Sequence, residues 1–113
     1  MSVPTTNPAM CHIVMWDVAG TTPEQRARAI ATVQREFEGL RGRIPGMTSL
    51  EIGVDTSRIS YACDVVLVTQ FESVDALEAY ATHPAHLEVR DRLEGLRIGR
   101  HQVDYPVAQR KAD

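Results

Sequence analysis

An α+β fold, a four-stranded antiparallel sheet with helices packed on one face, is what three observations predict. Four segments read as strands, and two regions carry helical spacing with start signals. Their order is strand, helix, strand, strand, bent helix, strand. With 113 residues, 43% of them hydrophobic and 24% charged, the chain is read as one soluble domain with a modest core. The domain is expected over residues 10–106, between a loose N-terminal arm over 1–9, rich in Thr, Asn and Pro, and a solvated tail over 107–113.

The first strand, CHIVMWDV, puts His12, Val14 and Trp16 on one face and Ile13 and Met15 on the other. Both faces are apolar, so the strand is central. Thr22, Pro23 and Gln25 supply an N-cap, a first-turn proline and a capping-box partner for a helix running to about Arg41. Ile30, Val33, Phe37 and Leu40 form its inward stripe, and Gly42 ends it. After the Ile44-Pro45-Gly46 turn, MTSLEIGV alternates Leu50, Ile52 and Val54 with Ser49 and Glu51. A loop over Asp55 to Ala62 leads to DVVLVTQF, apolar on both faces and therefore also central. The closing IGRHQVDY is mainly polar, which suits an edge, with Asp104 and Tyr105 read as fixing edge pairing. This is the ferredoxin-like βαββαβ plan. Two helices cover one face of such a sheet, so a second copy of the chain is expected to cover the other and give a homodimer.

The segment FESVDALEAYATHPAHLEV, residues 71–89, carries the candidate chemistry. Ser73 caps a first helical piece whose Ala76, Leu77 and Tyr80 share a stripe. Pro84 breaks the helix at His83 and restarts it, after which His86, Val89, Leu93 and Leu96 point one way. Tyr80, His83 and His86 are thereby set on the inner surface of one bent segment. A Tyr or His on an apolar stripe is ordinarily a packed residue whose polar tip finds a backbone partner. A helix break beside a core also leaves unpaired backbone groups, the kind of place where small pockets form.

The formal charge of −3, with no Lys/Arg cluster alternating with aromatics, argues against nucleic acid or an anionic membrane as partner. No apolar run reaches the length of a membrane span and the N-terminus lacks the pattern of a signal peptide, so a cytoplasmic location is expected. Cys11 and Cys63 have no CxxC spacing and are read as small apolar residues.

The run HIV from His12, IPGM from Ile44, LEIG from Leu50, FES from Phe71, HPAH from His83 and VDY from Val103 together resemble the stress-responsive dimeric A/B barrel (Dabb) family. The resemblance extends from about Met10 to Pro106 and implies a dimeric α/β barrel built from two ferredoxin-like subunits. At the polar positions the sequence is similar to the plant polyketide cyclase branch. That branch implies a catalytic role for Tyr80, His86 and His12, with His83 as the other histidine of HPAH. The strand-two segment, the face of the first helix and Asp64 depart from the plant pattern.

For aldol cyclisation of a polyketide thioester, His86 is the expected base, Tyr80 the donor to the enolate oxygen, and His12 the group that holds the His86 tautomer or binds substrate. Substrate-binding positions are His83 with Val14, Trp16, Phe37, Val89 and Leu93 as apolar walls. Two other readings stay open: a cofactor-independent oxygenase using the same His and Trp16, and a non-enzymatic stress protein that binds an apolar metabolite. No cofactor is assigned. A divalent metal on His83 and His86 with His12 or Asp64 competes for the same residues. The proline within HPAH turns His83 away and no fourth ligand is evident, so no metal is assigned either.

Overall fold

The computed structural model describes residues 8–108, so most of the expected arm and the final part of the tail lie outside the described residues. Seven elements occur in order: β1 (Met10–Val18), α1 (Pro23–Glu38), β2 (Met47–Val54), β3 (Val65–Phe71), α2 (Val74–Ala81), α3 (Pro84–Arg92) and β4 (Arg97–Pro106). The strands form one antiparallel sheet in the order β2-β3-β1-β4, a ferredoxin-like α+β fold. The two strands with apolar residues on both faces are the two in the middle, as their sequences require.

Local signals explain the helix boundaries. The Thr22 side chain accepts from the Gln25 N–H at 3.1 Å, and Gln25 returns its side-chain oxygen to the Thr22 N–H at 3.3 Å, a complete capping box. The α-helix stops at Glu38, short of the expected Arg41. Leu40 and Arg41 donate to Phe37 and Glu38, three residues back, so the chain tightens into turns before Gly42. Leu40 still packs inward, fully buried with Val33 and Phe37.

The core lies between the sheet and the helices. Val14, Trp16 and Val18 of β1, Val65, Leu67 and Phe71 of β3, and Val89 and Leu93 beside α3 are all buried there. Thr69 is buried in the same layer and satisfies its hydroxyl by donating to the His12 carbonyl at 3.2 Å. The opposite face of the sheet presents Ile13, Met15, Val66, Val68, Val103 and Tyr105, with Val103 59% and Tyr105 43% exposed. Met15 on this face is 38% exposed as well.

Two glycines set the backbone around the start of α2 and the last strand. Gly46 has φ +80, and a Cβ there would sit 2.6 Å from the Ala76 Cβ. Its carbonyl accepts from the Glu72 N–H at 2.9 Å, so the turn before β2 docks directly on the start of α2. Gly99, at φ +61, is the extra residue of a bulge: Trp16 pairs with Arg100, while the next residue, Asp17, pairs with Ile98. The bulge resets the alternation of β4, so that Arg97, opposite Val18, shares the helix-facing side with Arg100, Gln102 and Asp104.

Candidate active site at the helix break

The break between α2 and α3 is made by Pro84, which supplies no N–H and occupies the first turn of α3. Tyr80 ends the buried stripe of α2, and His86 lies one turn beyond the break. The His86 ring folds back onto Tyr80 with centroids 4.2 Å apart. Its Nδ1 lies 3.3 Å from the Ala81 carbonyl, one of the acceptors left unpaired where α2 ends. A carbonyl only accepts, so Nδ1 carries the hydrogen and Nε2 keeps its lone pair. Burial first, and then the positive charges of Arg90 and Arg97, hold the His86 pKa below its ordinary value.

His12 approaches from β1, 6% exposed, its ring edge-on to Tyr80 at 6.0 Å. The residue opposite it on β4 is Asp104, and His12 Nδ1 lies 2.6 Å from Asp104 Oδ1. Asp104 Oδ2 accepts from Gln102 at 3.0 Å, and Gln102 in turn accepts from the Arg100 Nε at 3.0 Å. This chain of bonds fixes the carboxylate, and the carboxylate orients the imidazole, so that the neutral ring carries its hydrogen on Nδ1 and its lone pair on Nε2.

Tyr80 completes the group. Its hydroxyl is buried without a hydrogen-bond partner among the described residues, and burial pushes its pKa up to about 12. A neutral phenol with an unused O–H is a ready donor, and an unsatisfied buried hydroxyl typically costs about 1–3 kcal/mol. Around these groups lies a cavity of about 350 Å³, with Met10, Val74 and Leu77 as apolar walls and His12, Tyr80, His86 and Asp104 among its polar ones.

The structure therefore brings His12, Tyr80 and His86 together and leaves the other expected positions elsewhere. His83 is the N-cap of α3: its Nδ1 accepts from the Ala85 N–H at 3.0 Å, and it does not line the cavity. The ring needed at a cap cannot also project inward. Val14, Phe37 and Val89 are core residues with no cavity surface here, because β1 beyond His12 runs under α1 and α3. Trp16 and Leu93 line a different cavity, and Trp16 stacks on Phe37 at 5.4 Å. Asp64 is also remote, accepting from the Val18 N–H at 2.9 Å and from Arg58 at 3.1 Å. Among the described residues no three His, Cys, Asp or Glu side chains gather as metal ligands would.

Asp104, read from the sequence as an edge-pairing group, does lie on the edge strand β4 opposite His12, and its side chain also bonds the His12 ring. Its signal was the alternation of Arg100, Gln102 and Asp104, three polar residues on one face of a strand that the topology lays beside β1.

The four-stranded antiparallel sheet with its helices places the chain among ferredoxin-like α+β domains. The chain belongs to the stress responsive A/B barrel domain family, whose model matches residues 10–107. Among curated proteins none matches the chain in sequence. Solved structures do resemble it. A dimeric ferredoxin-like protein of unknown function from Jannaschia sp. CCS1 is 27% identical, covering 88% of this chain and 99% of its own, with a TM-score of 0.68. A dimeric protein of unknown function from Bacteroides fragilis is 24% identical over 88% of this chain and 96% of its own, with a TM-score of 0.77. Hydroxynitrile lyase from Passiflora edulis is 16% identical over 94% of this chain and 99% of its own, with a TM-score of 0.71. At these identities the Bacteroides and Passiflora likenesses speak for the fold. No helix among the described residues is long and apolar enough to cross a membrane.

Proposed function

We propose that the protein is an acid–base enzyme acting on a small, largely apolar carbonyl compound, with carbon–carbon bond chemistry of the aldol type. The observation that carries this reading is the pairing of His12 Nδ1 with Asp104 at 2.6 Å beside a tyrosine hydroxyl that has no partner. The base is therefore His12 rather than His86. An imidazole held by a carboxylate keeps Nε2 bare, and the carboxylate opposes the positive charge that forms when Nε2 takes a proton. His86 is held on the Ala81 carbonyl and packs the tyrosine in place.

The reaction begins when Nε2 of His12 removes a proton from the carbon between two carbonyls. The C–H electron pair moves onto oxygen as an enolate, which Tyr80 steadies by donating its O–H. The enolate carbon attacks a second carbonyl, a C–C bond forms, and the new alkoxide takes the proton back from His12. Met10, Val74 and Leu77 hold the chain and exclude water. Trp16 lies outside this cavity, which weighs against an oxygenase using the pair.

The working unit in this reading is a homodimer joined through the apolar outer face of the sheet. The exposed Val103 and Tyr105 beside Ile13 and Met15 support it, as does the dimeric state of the Jannaschia relative.

The test is proton exchange at C2 of the N-acetylcysteamine thioester of 3-oxooctanoate, followed by NMR in heavy water. The wild type accelerates exchange over buffer, and His12→Asn loses about a hundredfold or more of that rate. Binding of the thioester without acceleration would instead make the protein a metabolite binder.

A further inference from the structure

A second cavity, of about 610 Å³, opens between α3 and β4 at the other end of β1. Its floor is Trp16, and Arg90, Arg97 and Arg100 line it, with Asp91 and Glu94 also on its wall. The Arg97 guanidinium lies 4.7 Å from the Trp16 ring centroid and 5.6 Å from that of Phe37. Its Nε is buried without an acceptor. Among the described residues, none of the three arginines has a carboxylate within ion-pair distance, whereas Arg92 on the same helix pairs with Glu36 at 3.0 Å. Neither Asp91 nor Glu94 forms an ion pair with these arginines.

The convergence is imposed by the sequence. Without the extra residue at Gly99, strict alternation would turn Arg97 to the outer face of the sheet. With it, Arg97 and Arg100 face α3 together, opposite Arg90. Burial and the charges of Arg100 and Arg90 all disfavour the charged form of Arg97. Three cations lining one cavity, one of them over an aromatic ring with a buried N–H unused, match the donor pattern that carboxylate and phosphate groups select.

Arg100 lines this cavity and also the one around His12. The positive charges of Arg97 and Arg100 act on the Tyr80 phenol as well. From His12 to Trp16 is four residues of β1, about 13 Å at about 3.3 Å per residue. We infer that the arginine cleft is the anion subsite for the substrate of the first cavity, an elongated apolar carbonyl compound bearing a carboxylate or phosphate at its far end. This rests on the proposed carbonyl chemistry for the ligand's other end.

Binding of 9-oxodecanoate and of its uncharged methyl ester, measured by calorimetry and by the fluorescence of Trp16, the chain's one tryptophan, tests the assignment. The acid binds about tenfold more tightly than the ester, the order of a charge-assisted contact. Arg97→Met, which keeps the packing on Trp16, brings the acid down to the ester and leaves the ester unchanged; Arg97→Lys keeps part of the preference. Equal affinities in the wild type, or a full preference retained by Arg97→Met with its fold intact by circular dichroism, overturns the subsite. Decyl phosphate against decanoate distinguishes the two anions by which binds more tightly, and neither exceeding decanol also overturns it. The two readings fail separately. Thioester exchange without acid preference removes only the subsite, and acid preference without exchange removes only the carbonyl chemistry.

Discussion

At one end of β1, His12 meets Asp104, and among the described residues the buried Tyr80 hydroxyl has no partner. At the other end, Trp16 carries Arg97 with its Nε unused, beside two further arginines that have no carboxylate partner among the described residues. Both ends lie on the helix-facing side of one strand, under the same bent helical segment. The difference comes from β4. Above the Gly99 bulge it offers an acidic acceptor to a histidine, and below the bulge it offers a cation to an aromatic ring. A paired imidazole moves protons; an unpaired guanidinium, always charged, holds anions.

The largest effect that separates the two ends comes from Asp104→Asn. An amide cannot accept at both the His12 and Gln102 bonds while holding the imidazole in the same tautomer. Thioester exchange should fall about a hundredfold, with acid-over-ester binding unchanged. Tyr80→Phe sharpens the contrast differently. It should cost about a hundredfold in exchange, while thermal unfolding shows stability equal or raised by up to about 2 kcal/mol, because an unsatisfied buried hydroxyl is removed. A tyrosine serving only structure would show the opposite pattern.

Gly46→Ala attacks the support of the first end. A Cβ there meets Ala76 at 2.6 Å on a backbone of positive φ, so denaturant unfolding should report a loss of about 1–3 kcal/mol as α2 is displaced. His83→Ala removes the cap of α3 and should cost about 1 kcal/mol. Ester binding persists in this variant, since the ring does not line the cavity.

The smallest effect is a pH dependence. Burial lowers the His86 pKa, so the unfolded chain takes up a proton there before the folded chain does. The contribution of His86 is full above the ordinary imidazole value of about 6.5 and falls as pH drops below it. Melting temperature measured from pH 7.5 down to about pH 5.5 should therefore decline less steeply in His86→Gln than in the wild type.

Much of this architecture is readable from periodicity. The double-sided apolar character of β1 and β3 places them centrally, the Thr22 box starts α1, and Pro84 splits the segment carrying Tyr80 and His86. What periodicity does not carry is register between distant strands. The pairing of His12 with Asp104 joins residues 92 positions apart and depends on β4 lying beside β1 in one phase. The bulge at Gly99 was equally hidden, since alternation alone gives Arg97 to the wrong face. His83 was misplaced because a histidine before a proline reads as an inward residue until its cap bond to Ala85 is seen. The expected walls lie away from the cavity around His12 for a related reason. Helical and strand spacing show which residues face inward, but not which inward residues reach a cavity.

The central claim is that His12, not His86, takes the proton. Its most direct test is C2 exchange of the 3-oxooctanoyl thioester by His12→Asn and His86→Asn side by side, each confirmed folded. The account predicts a loss of about a hundredfold or more for His12→Asn, and a loss of less than about tenfold for His86→Asn, whose ring packs and does not react. A near-complete loss in His86→Asn with exchange preserved in His12→Asn would contradict it.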